Sequence, residues 1–252
     1  MNAALAAAAA LVALAFSLST LDRWLRRRRP HELVWTVALA LFSLGSFALW
    51  WAEADGWSLG AFRLFYLAGA VLNVPWLALG TVYLLGGPQL GDKVRTWLVL
   101  LSGFAAGVVL FAPTRAPVAG GELPTGSNVF GVGPRVLAAV GSGVAAVVII
   151  AGALWSAWRV WRGRVPSLGA PRIIAAPRQL ALGNVLIAVG TLVLSASGTL
   201  AGRLGKDRAF AITLLVGIVV LFAGFLVAST HPRRPIIAPV AAEGSASGEA
   251  AA

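Results

Sequence analysis

Long apolar runs, each about the length that crosses a bilayer and each ending in a short polar or basic connection, dominate this chain. A hydrocarbon core about 30 Å thick takes roughly 20 apolar residues in a helix. Seven stretches meet that demand: about Ala3–Thr20, Glu32–Ala52, Leu59–Leu85, Thr96–Ala112, Arg135–Trp158, Leu180–Gly202 and Phe210–Ser229. The fourth is the shortest. They lack the alternation of membrane-barrel strands, and helices are the other way to satisfy backbone groups in lipid. The expectation is an all-α integral membrane bundle of seven transmembrane helices over residues 1–235. A disordered cytoplasmic tail of Ala, Gly, Ser and Glu is expected over 236–252, since it can bury no core.

Composition agrees. Of the 252 residues 59% are apolar and 12% charged, and mean hydropathy is +0.85, whereas soluble domains carry about a quarter charged residues. The absence of Cys excludes a disulfide scaffold and a thiolate metal centre.

Charge placement sets the expected orientation. Met1–Ser19 carries no cation, and the positives follow it as Arg23 and Arg26, Arg27, Arg28 and Arg29. A signal peptide has the reverse order, so the first run reads as a retained anchor with its N-terminus outside. Lys and Arg concentrate in short cytoplasmic loops. With the N-terminus outside, fourteen fall inside, among them Arg23, Arg26–Arg29, Arg159–Arg178 and Arg233–Arg234, and six outside, including Arg63, Arg115 and Arg135. The C-terminus is then cytoplasmic. Trp50, Trp51 and Trp57 gather at the expected outer ends and Trp24, Trp35, Trp97, Trp155, Trp158 and Trp161 near the inner ends, as interfacial indoles do.

The same placement accounts for the net charge of +11. No soluble segment is long enough to form a nucleic-acid-binding domain, so no nucleic-acid partner is expected. Arg26, Arg27, Arg28, Arg29, Arg162 and Arg164 are instead candidates to face anionic lipid headgroups. A membrane-protein partner or a homo-oligomer is also open.

No Asp, Glu, His or Lys falls in the middle of any run. Ion-coupled carriers and intramembrane metalloenzymes place ionisable groups at depth. A retinal protein needs a Lys in its last helix, and Phe210–Ser229 has none. Both histidines, His31 and His231, lie at the expected inner surface. No metal, cofactor or catalytic residue is therefore expected.

Uncharged polar residues form three stripes. Thr36, Ser43, Ser46, Trp50 and Glu53 share one side of the second helix at 100° per residue. Arg63, Tyr66, Asn73, Trp76 and Tyr83 share a face of the third, and Asn184, Thr191, Ser195 and Gly198 one of the sixth. Polar groups avoid lipid, so the stripes are expected to face the interior. One reading is interhelical packing, with Gly103 and Gly107 in GxxxG spacing. The other is a polar cavity open to the outside, with Glu53 and Arg63 at the rim and Asn73 near the floor. Ser46, Glu53, Arg63, Tyr66, Asn73, Asn184 and Ser195 are its candidate ligand-binding residues. Pro75 should kink the third helix and free a carbonyl near residue 71, which Asn73 could satisfy or present. Arg63 should pair with Glu53 or Asp55. The Gly- and Pro-rich connection Pro113–Gly133 could cap the outer mouth or move freely.

The stretches RPHELVWTVALALFSLGSFALWW (Arg29–Trp51), GSNVFGVGPRVLAAVGSG (Gly126–Gly143) and AFAITLLVGIVVLFAGFLVAST (Ala209–Thr230) resemble a group of uncharacterised membrane proteins of high-GC, actinobacterial-type bacteria. That resemblance implies a bacterial cell-membrane location and no particular activity. The leading functional expectation is a non-enzymatic sensor-like protein or accessory subunit that binds a partner or small apolar ligand within the bundle. The second is an uncoupled transporter or lipid-handling protein.

Overall fold

The computed structural model of the chain describes residues 2–118, 123–162, 179, 182–183, 185–194 and 207–229. It is 90% helix, and no strand forms among the described residues. In order come α1 (Asn2–Arg27), α2 (Pro30–Asp55) and α3 (Leu59–Phe65), which runs into a π-helical segment (Tyr66–Leu72) and on into α4 (Asn73–Phe111). A short α5 (Gly126–Val129), α6 (Val132–Trp161), α7 (Val185–Leu194) and α8 (Asp207–Ser229) follow.

Among the described residues, four helical stretches are long and apolar enough to cross a membrane: Ala3–Arg27, Pro30–Asp55, Leu59–Phe111 and Val132–Ser156. The third holds two of the runs expected from sequence. At Gly87 the backbone leaves helical geometry (φ 78°, ψ 176°), a conformation that glycine adopts without a Cβ penalty, and Pro88 restarts the helix. The two arms of α4 then lie against each other. The Tyr83 hydroxyl donates to Asp92 Oδ1 at 2.7 Å, and the Trp76 indole N–H donates to Ser102 Oγ at 3.1 Å.

Helix ends follow local chemistry. Pro30 opens α2 with Glu32 in the first turn, where a fixed φ and a negative charge suit the N-terminal dipole. Ser58 caps α3 by accepting from the Ala61 N–H at 3.2 Å. Only Arg28 and Arg29 separate α1 from α2, and Arg28 makes the turn with φ 51°.

The core runs along the bundle. One part joins Ala9 and Ala13 of α1, Leu39 and Phe42 of α2, Leu77 of α4, Ile149 of α6, Ile187 of α7 and Phe225 of α8. Another, at the far end, joins Leu49 and Trp57 with Phe62, Val71, Val109, Val129 and Phe130. Large apolar side chains cover the outside instead of charges: Trp97, Leu100, Phe104, Val140, Val147 and Leu154 are each more than half exposed. Water would tolerate so continuous an apolar surface poorly; lipid accepts it.

Candidate functional site

The polar stripe of α2 faces α1 over most of its length. Thr36 Oγ1 donates to Thr20 Oγ1 at 3.0 Å, and Ser17 Oγ donates to the Thr36 carbonyl at 3.0 Å. One turn beyond Leu39, Ser43 Oγ donates to the Ala10 carbonyl at 2.9 Å. Ser46 is 3% exposed. The stripe then leaves the interior: Glu53 is half-buried, and Trp50 is exposed rather than turned inward as the periodicity predicts. An indole sits comfortably on an apolar or interfacial surface, and the Trp50 ring meets that of Phe47 there, centroids 5.4 Å apart.

In the next helix the break surrounds Pro75 but takes a different form from a simple kink. The winding widens over Tyr66–Leu72, so the Asn73 N–H reaches back to the Ala68 carbonyl. Pro75 has no N–H to give, and in the five-residue winding the carbonyl this deprives is that of Ala70. Ser142 Oγ of α6 donates to it at 2.6 Å. The residue that satisfies the freed backbone is thus Ser142, not Asn73. Asn73 itself is 8% exposed, and its amide makes no hydrogen bond among the described residues.

Arg63 and Tyr66 meet the connection between α4 and α6. An Arg63 Nη donates to the Ala112 carbonyl at 2.7 Å, while Nε is buried without a partner. Asp55, offered by the sequence as an Arg63 partner, accepts instead from the Trp51 indole N–H at 2.9 Å. The Tyr66 ring lies over Gly126 and packs edge-on against Phe130. Phe130 is fully buried between Phe62 and Tyr66, and Thr114 bridges Phe130 across the connection. Burying a Phe side chain stabilises by roughly 1.5–3 kcal/mol, enough to hold this connection as a cap. Sequence reasoning left cap and free loop open; its missed signal is that Phe130 is the lone aromatic among the Gly, Pro and Ser of Pro113–Gly133.

The structure therefore brings Arg63 and Tyr66 together under the cap, with Asn73 deeper along the same helix and Ser46 on α2. Asn184 and Ser195 lie outside the described residues, as do Arg164 and the tail 236–252. Gly103 and Gly107 face open space among the described residues, so their GxxxG spacing packs no described helix.

At the opposite end the basic residues are exposed. Arg26 pairs with Asp22 at 3.0 Å, the Arg28 guanidinium lies 4.8 Å from the Trp24 ring centroid, and that of Arg162 lies 4.2 Å from Trp158. Arg27 is exposed and Arg29 half-buried. Guanidinium groups beside indoles suit a headgroup layer.

Among the described residues, no group of three His, Asp or Glu is placed to hold a metal ion. No protein-family model, curated protein or solved structure matches the chain.

Proposed function

We propose that this chain is a multi-pass cell-membrane protein, with seven crossings, N-terminus outside and C-terminus cytoplasmic. It acts without catalysis, as a sensor-like or accessory subunit that binds a membrane partner or small apolar ligand. The carrying observation is the use made of its interior polar groups. Ser17, Thr20, Thr36, Ser43 and Ser142 join one helix to another or to its own turn, which supports a packed scaffold over a reactive or conducting interior. The inner-end arginines, Arg26–Arg29 and Arg162, suit contact with anionic headgroups, on the order of 1 kcal/mol each.

The test is purification from the native membrane in mild detergent. A stoichiometric partner or an apolar ligand, retained through size exclusion, is the expected result. A chain repeatedly isolated alone and empty overturns the reading.

A second reading, an uncoupled transporter, draws on the unbonded amide of buried Asn73 beside the π-helical segment, since wide turns recur at functional sites. The Phe130 cap weighs against a permanently open mouth. Uptake of a labelled substrate into proteoliposomes, lost with Asn73→Leu, would select this reading.

A further inference from the structure

Where α4 ends and α6 begins, an open groove of about 410 Å³ lies between them, walled by Gly107, Val108, Phe111, Val132 and Pro134 with Ala112 at its end. That volume falls in the range of small-molecule sites, about 300–1,000 Å³. The lining is hydrocarbon and glycine. A Cβ added at Gly107 or Gly131 would meet nothing within 4 Å, and Phe111 and Val132 at the lips are 86% and 63% exposed.

The connection closing one end of the groove carries cations. Arg115 follows the lining residue Pro113 by two positions, and its N–H donates to the Val129 carbonyl at 2.9 Å. Arg135 directly follows Pro134. Both are exposed, and neither is in an ion pair among the described residues. Behind the wall, Arg63 grips the Ala112 carbonyl with one N–H and leaves Nε buried and unpartnered. Glu122 of the same connection lies outside the described residues; the two charged side chains described between 112 and 135, Arg115 and Arg135, are both positive.

We propose that this groove holds one anionic phospholipid, an acyl chain lying between α4 and α6 and its phosphate received by Arg115 and Arg135. The charge decides among occupants. A neutral apolar molecule would offer the two exposed arginines nothing to bind. A second copy docked symmetrically would set each arginine cluster against its own duplicate, where like charges repel. An anionic lipid supplies hydrocarbon and negative charge in one molecule. The inference rests on the bilayer reading of the helices and not on the direction in which the chain crosses.

The experiment places the full chain in nanodiscs of phosphatidylcholine containing a minor fraction of phosphatidylglycerol, followed by native mass spectrometry of the released protein. One retained phosphatidylglycerol, enriched over its bulk fraction, is expected. Arg115→Gln and Arg135→Gln should each lower its retention roughly five-fold. Gly107→Leu should fill the groove and remove the lipid, whereas Gly103→Leu, one turn away and outside the lining, should leave it. Both leucines enter open space, so the fold survives either change. Equal retention of the two lipids, indifference to Gly107→Leu, or a dimer abolished by Gly103→Leu in place of a lipid adduct would each overturn the proposal. A chain that instead stays monodisperse in detergent-free buffer and refuses the nanodisc overturns the bilayer reading, and this site with it.

Discussion

The contact between α1 and α2 and that between α7 and α8 hold neighbouring helices by different means. Along α1 and α2, Ser17, Thr20, Thr36 and Ser43 pass hydrogen bonds from one helix to the other. Where α7 meets α8, the Thr191 hydroxyl donates to the Ile187 carbonyl of its own helix at 2.8 Å. There the helices meet at glycines: a Cβ on Gly190 would come within 2.6 Å of the Leu221 backbone N, and one on Gly224 within 2.7 Å of the Ile187 backbone N. Lipid gives no hydrophobic drive between helices, so close approach and cross-helix bonds are the two available devices. The comparison teaches that they tolerate change differently. A lost hydroxyl bond leaves a weaker contact, whereas a side chain driven into backbone has nowhere to go.

The largest effect should come from Gly190→Leu or Gly224→Leu. Each forces α7 and α8 apart, at about 3 kcal/mol or more, and should abolish cooperative thermal unfolding of the purified protein followed by circular dichroism. If either variant melts like the parent, the glycine contact is not what joins these helices. Gly80→Ala comes next. Its Cβ would fall on the Trp35 indole, which must rotate, at roughly 1–3 kcal/mol, and the same melting curve together with Trp fluorescence should report the displacement.

The hydroxyl contacts should respond less. Ser142→Ala leaves the Ala70 carbonyl of the π-helical segment unsatisfied and should cost about 1–2 kcal/mol, read as a lower midpoint on denaturation in mixed micelles. Thr36→Val keeps shape but removes the bond to Thr20. Bonds of this kind average about 0.6 kcal/mol, with a maximum near 1.7, so a modest midpoint shift is expected. Ser43→Ala, which removes a single bond to the Ala10 carbonyl, should give the smallest change. A Ser43→Ala loss equal to that of Gly224→Leu would erase the distinction between the two interfaces.

The helices were legible in the sequence because lipid-length apolar runs permit little else, and the reversal near Gly87-Pro88 lies between two of those runs. The α2 stripe was legible as interior because hydroxyls at 100° spacing must find partners. What periodicity could not give was which partner. Thr36 chooses Thr20 of the preceding helix, and Arg63 chooses a backbone carbonyl 49 residues on in place of a nearby carboxylate. Such choices depend on how helices are turned about their axes, and a one-dimensional pattern carries no such angle. The widened winding before Pro75 was hidden for the same reason: a proline announces a missing N–H, but not how many residues are spent in going round it, nor that Ser142 of another helix takes up the freed carbonyl.

That widened winding also acts as a vernier on the helix that contains it. Rewound at 3.6 residues per turn with no residue removed, Tyr66–Leu72 would swing everything upstream by about 100°. Phe62 and Arg63 would then point away from Phe130 and Ala112, unlatching one extremity of the molecule while Asn73 to Leu85 kept their neighbours.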